Sequence, residues 1–307
     1  MPNEVLSALG LPPGRRAVIP HQDDVGMCHG ANRAFFELAG AGFITCGSVM
    51  IPCPWFSEVA EQAAARSDAG LDVDLGVHLT LTSEWPHYRW RPLTTTSRAS
   101  GLLDDHGYFW RNLKALAAAC PSPDAVEAEL TAQVERALAA GIDVTHLDTH
   151  MGASFLPDLL DVYVRLGERF RVPVLLPRRP ETFLDELKLD IPPGPMRAAA
   201  QRAESHGMPL VDEFRMTPGV PSAESDAAYR TMIGTVPAGL TFLSVHPNAP
   251  GDIETIVPPR AHWRTDEYRI FSSAAFREWL DGQDLEVIGF RPLRELLRQR
   301  SRAAAQA

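Results

Sequence analysis

The sequence predicts an α/β protein built as an irregular TIM-like (β/α) barrel in a single domain. Three observations carry that expectation. Short apolar runs alternate with helical stretches along most of the chain, as in a parallel sheet with helices outside it. Seven candidate strands are spread over about 290 residues, a spacing that suits an irregular barrel better than an open sheet. Several of the apolar runs end in acids or histidines, and the carboxyl ends of parallel strands are where α/β folds bind their ligands.

Taken in order, the first strand covers residues 16–20, where Ala17-Val18-Ile19-Pro20 leads into His21-Gln22-Asp23-Asp24. Helices at 29–40 and 55–67 flank a strand at 44–51. The third strand, 73–81, holds Gly76-Val77-His78-Leu79-Thr80-Leu81-Thr82. Residues 83–110 break the pattern with an aromatic loop, in which Trp85 and Trp90 are candidate platforms for the C–H faces of a sugar; a loop packing its own rings is the competing reading. A helix at 123–140 opens on Pro123, with Asp124 and Glu127 in its first turn. A strand at 144–147 then carries Thr145-His146-Leu147-Asp148-Thr149-His150. Next come a helix at 156–170, a strand at 172–176 that could bring Arg178 to the mouth, and helices at 195–206 and 222–235. A strand at 239–245 ends on His246, and residues 247–267 read as a second loop at the mouth. Helices at 273–281 and 292–300 flank the last strand, 285–288. By this reading residues 1–15 are an N-terminal extension, 16–300 the barrel and 301–307 a frayed tail.

Composition narrows the function. The 307 residues are 45% hydrophobic and 22% charged, in the range of soluble globular chains. A formal net charge of −10 argues against a nucleic-acid backbone as partner. No apolar run approaches the roughly 18 to 20 residues of a membrane span, and the first sixteen residues do not read as a secretory signal. Four cysteines in a chain of this length do not form a disulfide framework. A cytoplasmic enzyme is expected.

The chemistry rests on strand-end acids and imidazoles. Asp23 and Asp24 are adjacent carboxylates, which ionise together at low cost only beside a cation. His146, Asp148 and His150 share a face if the strand stays extended, because side chains alternate with a period of two. His78 is the ionisable residue of a mostly apolar segment, either a satisfied core histidine or a third ligand. One carboxylate with two neutral imidazoles leaves open positions on a divalent ion for water and substrate. Asp148 is expected to orient a ligand imidazole, and His146 to do the same or serve as an alternative ligand.

These motifs, in order and spacing, resemble the YdjC-type carbohydrate deacetylases, the chitooligosaccharide deacetylase group. Asp23-Asp24-Val25-Gly26, the segment 76–82, the segment 145–150 and Val245-His246-Pro247 carry the resemblance, supported by Arg33-Ala34-Phe35 and Tyr268-Arg269-Ile270-Phe271. It spans roughly residues 16–295. It implies an irregular (β/α) barrel that removes acetyl groups from acetylamino sugars with one divalent metal ion, magnesium or zinc foremost, with manganese, cobalt and nickel open. Asp24, His78 and His150 would bind the ion, Asp23 would be the general base and His246 the general acid. The partner would be a small N-acetylated saccharide, and a homodimer is plausible by the same resemblance. His21-Gln22, Met151-Gly152 and Asn248 depart from the family pattern around the site, which bears on substrate preference. Two other readings compete: a metal-dependent amidohydrolase or esterase on a non-sugar substrate, and a sugar-binding protein without turnover.

Overall fold

The computed structural model describes residues 3–40 and 42–304. Seven strands lie in one sheet, every pairing parallel: β1 (Arg16–Val25), β2 (Cys46–Val49), β3 (Leu75–Leu79), β4 (Val144–Thr149), β5 (Glu213–Met216), β6 (Gly239–Val245) and β7 (Glu286–Val287). Their order is β4-β3-β2-β1-β6-β5, with β7 against the start of β1. Between β4 and β5 the segment 172–177 contributes single bridges, Leu147 to Val174 and Pro177 to Val211. The arrangement is therefore barrel-like, but its regular ladder does not close. The expected strand at 172–176 is reduced in this way partly because Pro173 has no N–H to donate, although its carbonyl accepts from the Leu147 amide.

Helices cover the outside of the sheet, as parallel strands buried on both faces require. Most lie where the sequence places them, among them His29–Ala39, Phe56–Asp68, Pro123–Ala139 and Ala274–Asp281. Ser273 caps the last of these by accepting from the Phe276 amide. The main difference is at the mouth. Residues 247–267, expected to be a loop, contain most of the helix Ala261–Phe271. At the other end, the final helix Arg291–Ala304 runs through part of the expected tail; residues 1–2 and 305–307 of the expected terminal segments lie outside the described residues. No helix among the described residues is long and apolar enough to cross a membrane.

Inside the barrel the polar residues are stacked in layers. β1 is longer than its apolar run suggests and carries His21 and Asp23 inward. Gln22 points out, donating to the carbonyls of Ala31 and Pro247. Asp24 then adopts φ +61°, where the pairing of β1 with β2 shifts register between Gln22 and Val25. This bulge brings Asp24 inward beside Asp23, although neighbours on a regular strand face opposite ways. Gly76 on β3 makes room for the His146 ring, since a Cβ there would lie 2.5 Å from His146 Nε2. Gly76→Ala is therefore expected to destabilise the fold by about 1–3 kcal/mol through overpacking. An unchanged urea midpoint in that variant would show that the barrel interior has slack at this layer.

Candidate metal centre

Three buried side chains from three strand ends converge at the mouth. Asp24 Oδ1 lies 3.2 Å from His150 Nδ1 and 3.6 Å from His78 Nε2. The strand alternation of β4 brings His146, Asp148 and His150 to one side, and His150 opens a short turn in which Met151 and Gly152 take left-handed backbone angles. That turn is held by the Ser154 amide, which donates to Thr149 Oγ1.

The partners of the two imidazoles define which nitrogen is bare. His78 Nδ1 lies 2.9 Å from Asp148 Oδ2 and 3.0 Å from Ser48 Oγ, so it carries the proton and leaves Nε2 to face Asp24. His150 Nε2 lies 2.9 Å from Glu84 Oε2, which leaves Nδ1 to face Asp24. A carboxylate behind each imidazole is the usual support of a metal ligand. Asp24 Oδ1 is buried and has no hydrogen-bond partner. A buried acceptor facing two ligand nitrogens is costly unless a proton or a metal cation lies among them. Ligand atoms about 2.1 Å from a tetrahedral ion lie about 3.4 Å apart, and the two observed separations bracket that value. The residues fit a divalent ion.

Charge is balanced within the same cluster. Burial alone would raise the Asp24 carboxyl, but the Arg264 guanidinium and His150 outweigh it and hold it well below the usual carboxylate range. Arg264 Nη1 donates to Asp24 Oδ2 at 2.9 Å, leaving Oδ1 to the ion. At His150 burial disfavours the charged ring, yet Glu84 and Asp24 overcome it and push the imidazolium up to about 10 in the metal-free protein. The negative field that would hold that proton also favours a metal cation in its place.

Beside the centre, Asp23 is held from both sides. His21 Nδ1 lies 2.7 Å from its Oδ1, and Ser244 Oγ donates to its Oδ2 at 2.8 Å. His246 Nε2 lies 3.8 Å from the same Oδ2. Burial and then the Arg264 charge hold His246 down to about 4, so its ring is neutral at rest. Its Nδ1 faces Thr217 Oγ1 at 3.1 Å, and that hydroxyl donates to Glu267 Oε1. Glu267 also accepts from the His246 amide at 2.6 Å.

The structure thus gathers Asp23, Asp24, His78, Asp148, His150 and His246, with His146 one layer below. Trp90 is buried, its indole N–H donating to the Thr82 carbonyl and its ring 6.0 Å from that of His150, so it forms a wall behind the ligand and not an open sugar platform. Trp85 is half-buried and packs on the core. Arg178 is not brought to the mouth. The stagger of segment 172–177 sets it at the opposite end of the barrel, paired with Asp212 at 3.0 Å beside a cavity of about 530 Å³ lined in part by Asn3, Arg15 and Gly239. Glu84, Ser48, Ser244, Thr217, Arg264 and Glu267 are functional neighbours that the sequence does not single out. Glu84 lies just past the motif that ends at Thr82, and Arg264 and Glu267 share a helix face three residues apart.

The family model described as YdjC-like protein matches residues 17–282. The chain is 42% identical over 191 residues to a carbohydrate deacetylase of Thermus thermophilus, covering 60% of this chain and 64% of that protein. It is 26% identical over 276 residues to a carbohydrate deacetylase of Brevibacillus brevis, covering 90% of this chain and 99% of that one. The chain thus spans just under two thirds of the first relative and nearly all of the second. Among solved structures, a candidate cellobiose-phosphate cleavage protein of Enterococcus faecalis superposes with a TM-score of 0.70 at 19% identity, over 91% of this chain and 99% of that one. At that identity the likeness concerns the fold.

Glu84→Gln keeps a side chain of the same length but removes the charge behind His150. It is expected to weaken zinc binding by about 10–100-fold, read by competition with a chromogenic chelator. Wild-type affinity would mean that Glu84 does not support a ligand.

Proposed function

The chain belongs to the YdjC-like protein family, and from that premise we propose that it is a metal-dependent hydrolase that removes the acetyl group from an N-acetylated sugar or small oligosaccharide, releasing acetate. One observation carries the reading: Asp24 Oδ1, His78 Nε2 and His150 Nδ1 converge within reach of a single cation, next to a carboxylate and an imidazole that take no part in that convergence. The name carbohydrate deacetylase, borne by the aligned relatives, supports the sugar as substrate class.

Asp24, His78 and His150 would hold the ion. When bound, it acidifies a water and polarises the acetyl carbonyl. Two nitrogens and one oxygen suit zinc, cobalt or nickel better than magnesium, which prefers oxygen ligands. Asp23, 13% exposed and oriented by His21 and Ser244, takes the proton of the attacking water as the new C–O bond forms. Burial and the Arg264 charge favour the neutral form of the His246 ring in the metal-free protein. Its bare Nε2 faces Asp23, so the proton accepted by Asp23 passes to His246 and from there to the sugar nitrogen as the C–N bond breaks. Water and amide are consumed, acetate and amine are formed, and both side chains return to their starting states.

Asp23→Asn is expected to retain metal while acetate release falls by about 10²–10⁴-fold; full turnover would remove Asp23 as the base. His246→Ala is expected to slow an amide substrate far more than an activated acetyl ester, whose leaving group needs no proton. Equal losses on the two substrates would contradict the role of His246.

A further inference from the structure

Two histidines in the barrel core have no part in the ligand set. His21 on β1 and His146 on β4 are fully buried, and their strands are not neighbours. They meet across the interior with Nε2 to Nε2 at 2.8 Å. Phe290 stacks on His146 at 4.0 Å, Phe242 lies 4.8 Å from His21, and Gly76 leaves the space the His146 ring occupies. We propose that His21 and His146 are positioning residues, which with Thr145 and Asp74 form a buried hydrogen-bond chain across the barrel that fixes the orientation of the Asp23 carboxylate.

Each nitrogen of a fully buried imidazole needs a hydrogen-bond partner. Asp23 Oδ1 accepts, so His21 Nδ1 carries the hydrogen of that 2.7 Å bond. At the far end the Thr145 hydroxyl donates to Asp74 Oδ1. The Thr145 oxygen is then left to accept from His146 Nδ1 at 2.9 Å. His146, kept neutral by burial, therefore has a bare Nε2, and His21 Nε2 donates to it at 2.8 Å. The far end is anchored by the Arg291 amide, which donates to Asp74 Oδ2 at 2.7 Å. Each nitrogen and oxygen of the chain then has a partner, and Asp23 Oδ1 is held as an acceptor by His21 Nδ1.

Asp74 immediately precedes β3, at the end of the barrel away from the mouth. A change there should reach Asp23 without touching substrate or ion. The proposal rests on the reading of Asp23 as base, but its first test does not need activity. Long-range ¹H–¹⁵N correlation spectra of the zinc-loaded full chain are expected to show a proton on His21 Nδ1 and the His146 proton on Nδ1. His21 without a proton on Nδ1 would overturn the proposal. In the second test, Asp74→Leu is expected to lower kcat for acetate release by up to about 100-fold, with KM and zinc content unchanged. Asp74→Asn, which keeps one acceptor oxygen for Thr145, should lose less than Asp74→Leu. A folded Asp74→Leu protein with wild-type kcat would also overturn it. If Asp74→Leu does not fold, the spectra decide. If wild type releases no acetate, the reading of function fails while the spectra still test the chain.

Discussion

The chemistry at the mouth depends on which nitrogen of each ligand imidazole carries its proton. A metal ion needs a bare nitrogen, and a buried ring becomes bare on one side only if its other side has an acceptor. Strand register supplies that acceptor for His78. Its Cα is paired with Asp148 across β3 and β4, and Ser48 reaches the same carboxylate from β2. The parallel ladder thus sets a tautomer, and the tautomer sets where a cation can bind. For His150, beyond the end of β4, no strand partner remains and a loop residue, Glu84, takes the role.

The second constraint is charge. Asp23, Asp24, Asp148 and Glu84 crowd a small volume, and uncompensated carboxylates at this depth would disfavour folding. Arg264 on the helix Ala261–Phe271 is the permanent counter-charge. It binds one oxygen of Asp24 and leaves the other facing both ligand imidazoles, where a proton or a divalent ion can balance it. The same helix supplies Glu267, which holds the backbone and, through Thr217, the ring of His246. One helix face therefore sets both the field at the three converging side chains and the aim of the His246 ring. Below this layer, His21 and His146 satisfy each other and support Asp23, so the core and the site form one polar stack.

Much of this is legible in the sequence. Asp23, Asp24, His78, His150 and His246 stand out because each is an ionisable residue at the end of an apolar run, and such runs become parallel strands. The residues that support them lack that contrast. Ser48 and Ser244 are small hydroxyl residues within mostly apolar strands. Thr217 and Glu84 follow strands into irregular chain, where no periodicity marks them. Arg264 and Glu267 are hidden because the proline-rich approach, residues 247–259, makes the whole region read as loop. β5 escapes notice because Glu213 and Arg215 interrupt its apolar pattern, whereas 172–176 has the apolar pattern of a strand and a proline that curtails its pairing. Asp24 cannot be placed on the same side as Asp23 from alternation alone, since the bulge that turns it inward exists only in the backbone.

The most direct test of the central claim is the anomalous diffraction of zinc-soaked crystals at the zinc edge. A single strong peak about 2.0–2.2 Å from Asp24 Oδ1, His78 Nε2 and His150 Nδ1 is the result this account requires. A peak between His21 and His146, or none at the mouth in crystals of protein that binds zinc in solution, would contradict it.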